Sequence, residues 1–206
     1  MEIGLLLSTL VSLFVVIDPI GTSAVFVTLT QNMSETEQRR IAVKAVIIAV
    51  VLLIAFSFIG KALLSYMHVS SPAFRVAGGL LLFVTAFRMI MGFHDPDFLR
   101  SEKSAYRDVS NIAIFPIAIP FLAGPGVMTA TLMFTNEATS ILERGIVIFS
   151  IIVIQAVALA CLWGAGKLSR TFGPSGTGII ARVMGILLAA MAVQFIADGI
   201  KALARQ

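Results

Sequence analysis

Residues 41–64 read IAVKAVIIAVVLLIAFSFIGKALL, and the fold class turns on them. Their only charges, Lys44 and Lys61, stand near the two ends. A helix rises about 1.5 Å per residue, so about 20 apolar residues cross the ~30 Å hydrocarbon core of a bilayer. Comparable runs occupy about 3–28, 72–92, 111–134, 145–166 and 179–200, which makes six. The charged residues concentrate between the runs, around 31–44, 94–108 and 167–170. Hydrophobic residues make up 58% of the 206 and charged residues only 13%, too few to cover a water-facing surface. In lipid each backbone group must find its partner within the segment, and the period-2 alternation of a membrane barrel is absent. The sequence therefore predicts an all-α polytopic membrane bundle of six transmembrane helices, folded as a single membrane domain over 1–206.

The formal charge of +4 belongs to span ends rather than to a nucleic-acid surface. Arg39, Arg40, Lys44, Arg88, Arg100, Lys103, Arg107, Lys167, Arg170 and Arg182 lie on one side, ten in all. Lys61, Arg75, Arg144, Lys201 and Arg205 lie on the other, which is five. The positive-inside bias puts the richer loops, including 94–109, in the cytoplasm and both termini outside. The N-terminal run, with Glu2 as its first charge, is expected to be a span and not a cleaved signal. Cys161 stands alone in an apolar run, so no disulfide or multi-cysteine metal site forms within one chain. No cofactor is expected.

A shift of about 106 residues lays the chain on itself. Pro19 falls on Pro125 and Gly60-Lys61 on Gly166-Lys167. One further residue of shift brings Arg75-Val76 onto Arg182-Val183, Gly78 onto Gly185, Leu80-Leu81 onto Leu187-Leu188 and Gly92 onto Gly199. Each half, about 1–93 and 110–206, holds three spans. An odd number makes the second half enter from the opposite side, which predicts two inverted three-helix repeats, an architecture frequent in secondary transporters and shared by some channels.

Each repeat opens with a broken helix. Asp18-Pro19-Ile20-Gly21 interrupts the first span, followed by Thr22 and Ser23. Ala123-Gly124-Pro125-Gly126 interrupts the fourth, followed by Thr129 and Thr131, with Pro116 and Pro120 upstream. Proline removes a helix hydrogen bond and clashes with the preceding turn. One reading is two packing kinks. The other is a binding site, in which the helix starts at Gly21–Ser23 and Gly126–Thr129 offer free amides to an anion. The preceding carbonyls, with Asp18, suit a cation. Together they match a zwitterion such as a small amino acid, while a cation alone keeps an ion pathway open. For the buried carboxylate of Asp18 three roles stand: substrate contact, proton relay, or cap of the half-helix after Pro19. Gln155 and Gln194 read as helix–helix hydrogen bonders, Arg75, Arg182 and Asp198 as snorkelling or interfacial pairs, and Tyr66 and Trp163 as interface anchors.

Val16-Ile17-Asp18-Pro19-Ile20-Gly21, the run from Ser71-Pro72 to Leu82-Phe83 and the run from Phe115-Pro116 to Pro125-Gly126 resemble the signature stretches of the MarC family. The resemblance covers essentially the whole chain. It implies a six-span protein of the bacterial or archaeal cytoplasmic (inner) membrane that transports glycine, alanine or similar amino acids. It also implies that Asp18, Gly21, Gly124 and Gly126 lie by the substrate. The chain departs from the family pattern at Thr22-Ser23-Ala24, where Asn, any residue and Pro are usual, and this departure bears on substrate choice.

The expected function is secondary transport of a small neutral amino acid, with H+ or Na+ as coupling ion and Asp18 as the proton-coupling candidate. The expected substrate-binding set is Asp18, Pro19, Gly21, Thr22, Ser23, Gly124, Pro125, Gly126 and Thr129. No P-loop is present for ATP coupling. An enzyme would need a polar catalytic cluster, but His68 and His94 lie in or beside loops, and no enzymatic activity is expected. A non-transporting scaffold is the remaining alternative.

Overall fold

Helix starts follow local capping signals. In the computed structural model, which describes residues 2–30, 33–91 and 112–205, α1 runs Glu2–Ile17, α2 Pro19–Thr30, α3 Glu35–Tyr66 and α4 Ser71–Met91. A wide-turned segment, α5 (Ala113–Leu122), leads into α6 (Pro125–Glu137), and α7 runs Ile141–Leu203. Ser34 opens α3 with a capping box, its hydroxyl accepting from the Glu37 amide at 3.3 Å while Glu37 accepts from the Ser34 amide at 2.9 Å. Ser140 and Glu143 repeat the arrangement at the start of α7. The expected 94–109 connection, with Gly92 before it, lies outside the described residues, as do the side chains of Lys167 and Arg170.

Five helices are long and apolar enough to cross a membrane, and the bent pair α5–α6 makes a sixth if it is one span. Their bounds are Ile3–Val27, Glu35–Tyr66, Ser71–Met91, Ala113–Leu122 with Pro125–Glu137, Ile141–Gly166 and Arg182–Leu203. Every described element is helical. Their outward faces are apolar: Ile47, Val51, Phe58, Ile59 and Leu63 on α3 are all exposed, a side-chain set that water would reject and lipid accepts. Ile41, Ala42, Ala45, Ala49, Leu53, Ser57, Gly60 and Leu64 recur every three or four residues and turn the opposite face of α3 inward. Tyr66 and Trp163 are both exposed near span ends, in keeping with their reading as interface anchors.

The last two spans, Ile141–Gly166 and Arg182–Leu203, both lie within α7. The second of them nevertheless returns to the face where the first began. Ala202 lines the same pocket as Glu137, just ahead of Ile141.

This last span packs antiparallel on α4 along a glycine seam. A Cβ at Gly79 would stand 2.9 Å from the Ala192 carbonyl, and one at Gly185 3.2 Å from the Ala86 carbonyl. A Cβ at Gly199 would stand 3.0 Å from the Pro72 carbonyl. Residue numbers rise along one helix as they fall along the other. Small residues let backbones approach where lipid supplies no hydrophobic drive between helices. Gly164 and Gly166, by contrast, face no described atom within 4 Å.

Gly79→Ala therefore overpacks the seam and should destabilise by about 1–3 kcal/mol, read as a lowered melting temperature in detergent. Gly145→Ala, at a site with nothing within 4 Å, should leave it unchanged or raise it. Equal effects of the two would contradict the seam.

Candidate functional site at the two helix breaks

The residue before a proline is crowded out of the right-handed helical region. Four residues in the two broken spans obey this. Phe115 (φ −132°, ψ 127°) and Ile119 (φ −125°, ψ 121°) are extended, as is Gly124 (φ −75°, ψ 171°). Asp18 adopts φ 44° instead, a left-handed conformation that Asp tolerates better than most residues.

Each half of one broken span packs on the opposite half of the other, α1 on α6 and α2 on α5, so the two spans run antiparallel.

At the first break the polar groups largely satisfy one another. Gly21 donates its amide to Asp18 Oδ1 at 3.1 Å, and Thr22 donates its amide to the Asp18 carbonyl at 2.9 Å. The Ile17 carbonyl, which Gly21 would have served in a continuous helix, accepts the Thr22 hydroxyl at 3.1 Å. Ser23 donates its hydroxyl to the Pro19 carbonyl at 2.6 Å. The expected bare amides at Gly21 and Thr22 are therefore corrected: both are engaged within the break. Of the three roles open to Asp18, capping is the one its geometry displays. Asp18, Pro19, Thr22 and Ser23 are buried and Gly21 is half-buried, and a Cβ at Gly21 would collide with the Asp18 carboxylate.

The second break is not closed in this way. α6 starts at Pro125 with Gly124 as a cap that brings no side-chain hydrogen bond. By position its first-turn amides at Gly126 and Val127 have no regular intrahelical acceptor, and the first regular bond runs from the Met128 amide to the Gly124 carbonyl at 2.9 Å. Thr129 returns its hydroxyl to the Pro125 carbonyl at 2.8 Å. Gly124 is required by the close Pro120 carbonyl, and Gly126 by the Leu82 side chain. Gly124, Gly126 and Thr129 are buried, whereas the Pro125 ring is exposed.

Gln155 completes this break. Fully buried on α7, it donates Nε2 to the Leu122 carbonyl at 3.0 Å, bridging two helices as the sequence suggested. Its Oε1 has no hydrogen-bond donor among the described residues. The sequence signal was a lone amide in an apolar run, and nothing in that run tied it to residue 122, 33 positions away. Gln194 corrects the parallel expectation: it donates to Asp198 at 2.9 Å within its own helix.

Asp18→Asn keeps a capping side chain that tolerates φ 44° and should melt near the parent. Asp18→Ala loses the cap and should cost about 1–3 kcal/mol. A thermal scan in detergent in which Asn proves as damaging as Ala would show that charge, not the cap, holds the break.

A family model described as MarC family integral membrane protein matches residues 3–204. A UPF0056 membrane protein of Methanocaldococcus jannaschii is 35% identical over 190 residues, covering 92% of this chain and 93% of that protein. Its counterpart in Aquifex aeolicus is 33% identical over 205 residues, 97% of this chain and 94% of that one. A UPF0056 membrane protein of Buchnera aphidicola subsp. Acyrthosiphon pisum is 29% identical over 203 residues, 98% and 94% respectively. No solved structure matches the chain. With relatives in bacteria and archaea and apolar spans along its whole length, this multi-pass integral membrane protein belongs to the MarC family.

Proposed function

We propose that the chain is a secondary transporter of small neutral amino acids, working by alternating access across the cytoplasmic membrane with both termini outside. The observation that carries this reading is the second break, where a helix start without a side-chain cap adjoins Gln155, whose buried amide oxygen has no donor among the described residues. Helix-start amides and the macrodipole favour a carboxylate. An acceptor such as Gln155 Oε1, with the Asp18 carboxylate across the antiparallel pair, favours an ammonium. An α-amino acid carries both groups. Leu82 against Gly126 and Thr129 against Gly78 crowd the space, which favours a small side chain.

The binding set is Asp18, Pro19, Gly21, Thr22, Ser23, Gly124, Gly126 and Thr129 with Gln155 added, and Pro125 shapes the turn while its ring faces outward. Asp18 also serves as the proton acceptor for coupling. The antiparallel contact of the broken spans and the α4–α7 seam support the inverted-repeat reading, since elements related by a two-fold axis in the membrane plane meet head to tail. A pathway for a bare cation is less favoured, because the Ile17 and Pro19 carbonyls are taken by hydroxyls.

The test is uptake of labelled glycine and alanine by proteoliposomes holding the pure protein, with Asp18→Asn as control. Saturable uptake that unlabelled substrate competes and Asp18→Asn abolishes is expected. Absence of such uptake across a broad amino-acid panel removes the reading. Gln155→Leu should raise KM roughly 10- to 100-fold, the loss of one hydrogen bond to a charged group at about 1.5–3 kcal/mol.

A further inference from the structure

Away from the breaks, a pocket of about 230 Å³ opens on the face that carries the chain ends. That is room for several waters or for a small amino acid. α4, α6 and the end of α7 wall it, with Phe74, Leu132 and Met133 among the apolar lining. At its mouth Arg75 donates to Glu137 Oε1 at 2.8 Å. The Arg75 side chain is 22% exposed and that of Glu137 55%, so both reach water.

Three features distinguish this pair from an ordinary interfacial staple. It joins the two halves of the chain across 62 positions, so any rocking of one half on the other must stretch or break it. It crowns a pocket whose floor includes Thr129, about 12 Å below Glu137 at 1.5 Å per residue of α6. Beneath it, Thr129 seals against Gly78, where a Cβ would collide, and one turn further lies Gly126 at the second break. The pocket is thus a half-passage from the water-facing surface toward the uncapped helix start.

The geometry points to a reception site for a zwitterion in this vestibule: Arg75 and Glu137 part, Arg75 takes the carboxylate and Glu137 the ammonium. Two ion pairs replace one at no change in net charge, and the halves are unlatched in the same step. This rests on the transport reading above for its direction of travel, but its chemistry is tested separately.

In full-length protein carrying Cys161→Ser and Met133→Cys, reconstituted in vesicles, the new thiol is titrated with a membrane-impermeant methanethiosulfonate. Glycine or alanine at millimolar concentration should slow labelling at least threefold. Glycinamide, without the carboxylate, and acetate, without the ammonium, should not. Arg75→Gln and Glu137→Gln should each speed basal labelling and abolish protection. The exchange Arg75→Glu with Glu137→Arg, which keeps both charges, should restore protection and so excludes misfolding as the cause. Protection that survives neutralisation of either residue, or that glycinamide and acetate reproduce, overturns the site. Protection without any uptake would uphold the vestibule and sink the transport reading; uptake without protection does the reverse.

Discussion

A proline inside a lipid-embedded helix removes one amide proton and forces the residue before it off the helical path, and there is no water at that depth to accept the groups left over. Asp18, Phe115, Ile119 and Gly124 each precede a proline and each leave the right-handed helical region. The 51° bend between α5 and α6 and the left-handed turn at Asp18 are consequences of that crowding. Without the prolines these spans would have no reason to depart from plain helix.

How the chain meets the resulting hydrogen-bond debt separates the structural from the functional parts of the bundle. Thr30, Thr85, Thr129, Thr135 and Ser150 each donate to the carbonyl four residues back, and Ser57 to the one three back. A hydroxyl on a helix can settle this way at small cost in helix geometry. Thr22 and Ser23 use the same device to mend the first break. An amide oxygen cannot, because it needs a donor and the helix amides are already spent. Gln155 Oε1 is left without one, as are the hydroxyls of Thr9 and Thr131 among the described residues. A buried polar group without a partner costs about 1–3 kcal/mol, and of these three groups only Gln155 Oε1 belongs to a side chain that also bridges two helices, through Leu122.

The spans were legible because hydrocarbon thickness imposes a length that side-chain polarity alone reports, and the expected ends differ from the observed ones by at most six positions, at Glu35 against the expected 41. Both interruptions were legible for a similar reason: Pro19 and Pro125 act through local sterics that no tertiary contact reverses. What escaped was partner choice. The Asp18–Gly21 bond is local, yet its effect, closing the amides expected to be open, depends on a backbone turn that Asp adopts only under pressure from Pro19. The bond from Gln155 to Leu122 and the Arg75–Glu137 pair join residues far apart in the chain, and a composition of mostly interchangeable aliphatic residues carries little information about which faces meet. Gln194 shows the converse, since an acceptor one turn away at Asp198 settles it within its own helix.

The two halves share a pattern but not a chemistry, and this asymmetry has a direction. Where the first half places Asp18 the second has Gly124, so one break carries an acidic cap and the other an open helix start. Where the second half places Gln155, a shift of 106 gives Ala49, a residue with nothing to donate or accept. A strictly symmetric site would hold a zwitterion equally well in two opposed poses. In the proposed site the carboxylate would have one favourable end, the α6 amides, and the ammonium another, Asp18 with Gln155 Oε1. Under the proposed transport reading the solute keeps a single orientation at the breaks whichever face is open, so alternating access exchanges the gates around a fixed pose. On the same reading the proposed vestibule adds its own polarity through Arg75 and Glu137, and a solute leaving it for α6 would pass its carboxylate from a guanidinium to backbone amides across the Thr129–Gly78 contact.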